Sequence, residues 1–227
     1  QQLVNGITLG GVYALIAVGY TMVYGVIQLI NFAHGEIYML GAFLAYTLVA
    51  ALGMPFFAAF VLTLVICALL GVILDFVAYR PLRKAPRLAA LITAIGMSIF
   101  LQNMAMLIWG SQIKSYPRDM LPAFFSEAAI TFGDVTLSWL QLFILSITLL
   151  SMIILHLTIH KTRIGMAMRA ISQDKTASAL MGIGVNRVIS FTFAIGSAMG
   201  AMAGILVGLY YNAIFPTMGY VAGIKAF

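Results

Sequence analysis

Charge is what this sequence lacks most. Only 8% of its 227 residues are Asp, Glu, Lys or Arg, where a soluble domain carries about a quarter. Twelve basic and six acidic side chains cannot cover the surface of a water-soluble fold of this length. Cysteine is almost absent too. The single Cys67 excludes an intrachain disulfide, and inside an apolar run it reads as a small hydrophobe. There is no G-x-x-x-x-G-K-[ST] sequence, so nothing here cradles the phosphates of ATP. No helix is read as carrying a metal site or a Ser/His/Asp set, and His34, His156 and His160 are read as structural histidines. The reading is therefore of a chain that is no enzyme and takes no cofactor and no metal. The formal charge of +6 does not signal nucleic acid, because no basic stretch is interleaved with aromatics.

What is present in excess is apolar length. The hydrophobic fraction is 63% and the mean hydropathy is +1.08. About 20 apolar residues cross a hydrocarbon core as a helix. Six stretches qualify, at about 7–29, 36–53, 55–79, 88–109, 137–159 and 188–212, and a seventh starts near Gly223. No strand is expected in these runs, since they are long and lack period-2 alternation. The fold class that follows is all-α, a polytopic transmembrane helical bundle. The chain opens on Gln1 rather than Met and stops at Phe227 as an apolar segment begins. Both ends read as cut, and residues 1–227 are expected to form a single transmembrane domain truncated at the carboxy side.

The links between the runs carry opposite charge. Residues 80–87 hold Arg80, Arg83, Lys84 and Arg87 with no acid, and 160–187 hold Lys161, Arg163, Arg169, Lys175 and Arg187 against Asp174. In 110–136, Asp119, Glu127 and Asp134 outweigh Lys114 and Arg118. The positive-inside rule puts the first two links in the cytoplasm and the third outside. Counting back places the amino end outside, unless a broken helix near residue 31 reverses it.

Four sets of residues stand out. Residues 166–181 have helix-forming composition and are followed by Gly182 and Gly184, as a helix end requires. Small and apolar side chains share one side of this expected cytoplasmic helix, with Arg169, Gln173, Asp174 and Lys175 about the other. Such a helix docks into a partner's groove or lies on lipid headgroups. The second set is Asn31-Phe32-Ala33-His34-Gly35-Glu36, three hydrogen-bonding side chains and a glycine between apolar runs. A break of this kind at membrane depth lines a transport path; at the surface it is an ordinary loop with Glu36 at a helix start. The third set is Thr93, Ser98, Gln102 and Asn103 in the fourth run. These residues line a path or bond neighbouring helices. The fourth is Gly196, Gly200, Gly204 and Gly208, which stay on one side of a helix and let another approach closely. A sliding surface is the sharper alternative to packing. Ile205 falls on another side and should tolerate replacement better.

The pattern from Arg169-Ala170 through Asp174 and Ala177 to Gly182-Ile183 resembles the cytoplasmic coupling loop of ABC-importer permeases. The run TLGGVYALIAVGYTMVYGVIQLINFAHGEIYMLGAF at 8–43, with its NFAHG, resembles the opening of the LivH-type permeases of branched-chain amino acid importers, as do ALITAIGMSIFLQN at 90–103 and GYVAGIKAF at 219–227. The likeness covers essentially the whole chain. It implies a permease subunit that passes leucine, isoleucine and valine inward, in the bacterial inner membrane. It implies an ATPase-coupling helix at Arg169, Ala170, Asp174, Ala177, Gly182 and Ile183, and a substrate pathway drawn from Asn31, His34, Gly35, Glu36, Thr93, Gln102 and Asn103. The partners it implies are a second homologous permease, two cytoplasmic ATPase subunits and an extracytoplasmic binding protein. Urea permeases share much of the pattern, which leaves urea or a short amide as the alternative solute. A stand-alone secondary transporter or channel would need coupling carboxylates inside the helices, and only Glu36 and Asp75 lie near them.

Overall fold

The structure is a computed structural model that describes residues 1–29, 31–132 and 135–226. Ile30, Gly133, Asp134 and Phe227 lie outside the described residues, as do the side chains of Lys84, Arg87, Arg118, Ser126 and Phe132. Two of the charged links and the seventh apolar segment are thus seen only in part.

Among the described residues, five helices are long and apolar enough to cross a membrane. They are α1 (Gln2–Ile27), α3 (Phe56–Leu74, continued by a π-turn at Asp75–Tyr79), α4 (Arg87–Trp109), α5 (Trp139–Lys161) and α8 (Val185–Tyr211). The sixth expected span is α2 (Ala33–Tyr46), extended by a π-turn at Thr47–Ala51. It starts at residue 33 rather than 36 and is too short to be counted with the five. Three short helices complete the set: α6 (Arg163–Gln173), α7 (Lys175–Leu180) and α9 (Met218–Ala226).

Among the described residues the apolar runs form helices as expected, and a short hairpin lies outside them, in the 110–138 link. There β1 (Ala128–Phe132) and β2 (Val135–Ser138) pair antiparallel, with Phe132 opposite Val135 and Ala128 opposite Ser138. Polar, turn-rich sequence outside the apolar runs is free to pair locally, and the search for long runs overlooked it. Ser138 then opens α5 with a capping box. Its hydroxyl accepts from Gln141 N at 3.2 Å, and Gln141 Oε1 accepts from Ser138 N at 3.0 Å.

Helix α8 is the axis, packed along α3, α2 and α1. It is buried on nearly every side. Ile205 is fully buried, so the expected tolerance at that position is corrected: α8 has no lipid-facing stripe there. The outer helices invert the soluble pattern. Val61, Val65, Leu69 and Ile73 of α3, and Ile92, Ile99 and Leu107 of α4, are exposed. A hydrocarbon surround asks for this pattern.

Hydrogen bonds tie each link to its side of the bundle. Gln1 Nε2 donates to Thr136 O at 3.0 Å, and Thr136 N donates to Gln1 Oε1 at 2.8 Å. At the far end of α1, Gln28 Nε2 donates to Ser172 O at 3.2 Å and Lys175 Nζ to Ile27 O at 2.7 Å. The amino end therefore lies with the acidic link, and the end of α1 lies with the basic link, which the charge rule assigns to the cytoplasm.

Candidate functional site

The break after α1 begins at the basic end of the bundle, where Gln28 is exposed, and leads to Asn31 and the start of α2, which are buried. Gln28 adopts a left-handed conformation (φ 59°) and stops the helix, its N–H donating to Tyr24 O at 2.7 Å. The chain then turns back among the helices before α2 begins. The His34 ring sits against Gly19 of α1 and Gly200 of α8, and Gly19 itself meets the Gly196 carbonyl. Gly196 is about 17 Å along α8 from its basic end, at 1.5 Å per residue. The first turn of α2, residues 33–36, is thus well within the apolar layer and buried in protein together with Asn31, the condition under which polar groups are tolerated there.

The polar groups of this break are buried and partly satisfied. Tyr79 Oη donates to Asn31 Oδ1 at 2.7 Å, and Ser98 Oγ donates to Glu36 Oε1 at 2.9 Å. Among the described residues, Glu36 Oε2 and His34 Nε2 have no hydrogen-bond partner. The Glu36 carboxylate abuts Gly219 of α9, and Gly35 crosses α9 between Gly219 and Gly223 so closely that neither Gly35 nor Gly219 has room for a Cβ. Asn31, His34, Gly35 and Glu36 therefore form one cluster beneath the crossing of α2 and α9. From α4, only Ser98 joins it. Thr93 and Gln102 are half-buried, and Asn103 is exposed and donates to Ile99 O of its own helix at 2.8 Å.

The glycine row of α8 is in contact along its whole length. Gly196 meets Val23 and the Gly19 carbonyl of α1, Gly200 meets His34, Gly204 meets the Tyr38 backbone, and Gly208 meets Tyr116 and Ile214. Tyr116 reaches in from the acidic link, and its hydroxyl donates to Ala42 O at 2.9 Å.

On the basic side, the single helix expected over 166–181 is two. Asp174 leaves helical geometry (φ −150°) and caps α7, its Oδ1 accepting from Thr176 N at 2.7 Å and Ala177 N at 2.9 Å. An Asp has an alternative to the helical ladder that alanine lacks, which is why composition alone missed the break. Met168 and Ile171 of α6 are buried against the bundle, and Arg169 donates to the Ile159 carbonyl at the end of α5. Ala170 and Ile183 are half-buried. α7 stands clear: Ala177 is exposed, and Leu180 and Met181 are each 84% exposed. Gly182 ends α7 with φ 83°, a conformation that glycine takes without penalty.

One constellation escaped the sequence reading. Asp75, fully buried at the end of α3, accepts from Arg83 Nη2 and from Ser190 Oγ of α8, at 2.5 and 2.6 Å. Arg83 also donates to Asn186 Oδ1. Both basic links are joined through this network to the start of α8. The signal was available: an acid eight residues before an arginine, at the end of an apolar run.

A bundle of apolar spans with buried polar groups at its centre, and a projecting apolar helix tip on its basic side, defines a multi-pass membrane protein built to work with others. A family profile described as branched-chain amino acid transport system / permease component matches residues 2–227. The chain belongs to that permease family. It is 47% identical to the high-affinity branched-chain amino acid transport system permease protein BraD of Pseudomonas aeruginosa, over 100% of this chain and 76% of that protein. It is 45% identical to LivH of Escherichia coli and 44% identical to LivH of Salmonella typhimurium, with the same coverage. No solved structure matches.

Proposed function

We propose that residues 1–227 act as one transmembrane domain of a permease subunit that moves branched-chain amino acids into the cytoplasm across the bacterial inner membrane, driven by ATP hydrolysis on partner subunits. The observation that carries this reading is identity of 44–47% along the entire chain to permeases of high-affinity branched-chain amino acid systems. The partners are a second, homologous permease, two cytoplasmic ATPases and an extracytoplasmic binding protein.

The projecting α6–α7 pair supports the coupling role. Arg169 and Asp174 shape the pair, Ala170 and Ile183 seat it, and Ala177, Leu180 and Met181 offer the surface. A methyl-sized and apolar tip held off the bundle by a cap and a glycine suits a groove on an ATPase. Asn31, His34, Gly35 and Glu36 are the proposed pathway group: polar side chains at membrane depth are costly unless they serve solute or water. In this conformation the crossing of α2 and α9 shuts them off, and the path opens where those helices part. Thr93, Gln102 and Asn103 extend the pathway only along the outer side of α4, towards the second permease. The glycine row is the close-packing seam on which α1 and α2 sit.

The test is ATP hydrolysis by the assembled complex with loaded binding protein. Stimulation by leucine and not by urea is expected. Stimulation by urea alone would reassign the solute, and hydrolysis indifferent to both would overturn the importer reading.

A further inference from the structure

A second polar site lies outside the Asn31–Glu36 cluster. α1, α2, α8 and α9 line an open-sided cavity of about 390 Å³, at the small end of the range for ligand pockets. Tyr13, Tyr38 and Tyr211 line it, together with Lys225. Tyr38 is buried to 2% exposure, and among the described residues its hydroxyl has no hydrogen-bond partner, nor have those of Tyr13 and Tyr211. The Lys225 ammonium lies 5.6 Å from the centroid of the Tyr13 ring. The one ion pair among the described residues is Asp75–Arg83, so Lys225 faces no carboxylate there. Tyr13 is near the midpoint of the 26-residue α1 and Tyr211 is the last residue of α8, so the cavity runs from the apolar layer towards the acidic-link end of α8, with the exposed Lys225 facing it.

The lining decides the ligand's charge. Three aromatic rings alone would suit a cation, but a cation already occupies the Tyr13 face and would repel a second. Four donors without an acid favour an anion. The remaining walls, among them Val207 and Met218, are apolar. We propose that this cavity binds the carboxylate end of a small aliphatic solute, with Lys225 and the three tyrosine hydroxyls as donors and the apolar wall against its hydrocarbon part. This rests on the branched-chain amino acid reading and names the group that is recognised within it.

The test uses the assembled permease–ATPase complex in nanodiscs, without binding protein, and labelled leucine as the probe. 4-Methylpentanoate, which keeps the carboxylate, should compete; 3-methylbutylamine, which keeps only the ammonium, should not. Lys225→Met should weaken leucine binding by about ten- to a hundredfold, the range for a lost charge-assisted hydrogen bond. Lys225→Arg should retain most of the binding, and Tyr38→Phe, which removes one oxygen, should weaken it severalfold. Wild-type affinity in an intact Lys225→Met complex overturns the site, as does equal competition by the amine. If Lys225→Met does not assemble, wild-type affinity in Tyr38→Phe together with competition by the amine overturns it. A wild-type complex that takes up urea and not leucine overturns the reading on which the site rests, whatever Lys225 does.

Discussion

Removing Arg83 should damage this protein more than removing both members of its ion pair. Asp75 is fully buried, the Arg83 side chain is 14% exposed, and they meet at 2.5 Å. With Arg83→Gln, the Asp75 carboxylate keeps only the Ser190 hydroxyl as a charged-state partner. Breaking a buried pair from one side costs about 3–5 kcal/mol, because an uncompensated charge stays out of water. Asp75→Asn strands the guanidinium instead, and is expected to be milder because Arg83 is partly solvated and keeps Asn186. The double variant Asp75→Asn/Arg83→Gln leaves no buried charge and should recover at least about 2 kcal/mol of the summed loss, the size of coupling that contacting residues show. Detergent-solubilised variants can be ranked by the temperature at which monodisperse protein is lost. Arg83→Gln should rank lowest and the double variant above it. Additivity within about 0.5 kcal/mol would refute the argument, since it would mean that the two groups do not share one buried interaction.

Along the glycine row, sensitivity to alanine should be graded. Gly204→Ala drives a methyl into the Tyr38 backbone, which cannot swing away, whereas at Gly200 the nearest atom is His34 Cε1 at 3.4 Å. Gly204→Ala should lose about 1–3 kcal/mol in the same thermal assay, and Gly200→Ala clearly less; the reverse order would contradict the packing. At the projecting tip, Leu180→Glu and Met181→Glu should leave expression and folding intact while reducing co-purification of the ATPase and uptake; unchanged uptake in both would make α7 a bystander. Gly182→Val places a branched residue at φ 83° and should destabilise the end of α7 by about 1–2 kcal/mol, seen as uncoupled ATP hydrolysis in an inserted protein. Cysteines at Met181 and Asp119 should be labelled from opposite sides of the membrane, with the buried Cys67 silent; labelling of both from one side would sink the topology.

Much of the architecture is legible in hydropathy because lipid and water demand opposite surfaces. The five long spans follow from unbroken apolar runs, and their sidedness follows from Arg and Lys in two links. What hydropathy does not carry is depth. The NFAHG segment has the composition of a surface loop, and it is the contacts of His34 with Gly19 and Gly200 that put it within the bundle. It was also silent on the break at Asp174, where one side-chain oxygen competes with the helix, and on the hairpin at 128–138, where local pairing needs no long pattern. The polar residues of α4 show the same limit. Thr93, Ser98, Gln102 and Asn103 are alike as letters, yet Ser98 alone is directed at Glu36. Lys225 and the tyrosines of its cavity come from four separate helices, and no spacing along the chain unites them.

Release of preloaded labelled leucine from proteoliposomes containing the assembled complex, with loaded binding protein inside the lumen and ATP added outside, tests the central claim most directly. With the binding-protein side facing inward, the account predicts ATP-dependent export of preloaded leucine to the outer, ATPase-bearing side, abolished by Leu180→Glu. Leucine movement that proceeds without ATP, or that persists unchanged in Leu180→Glu, would contradict it.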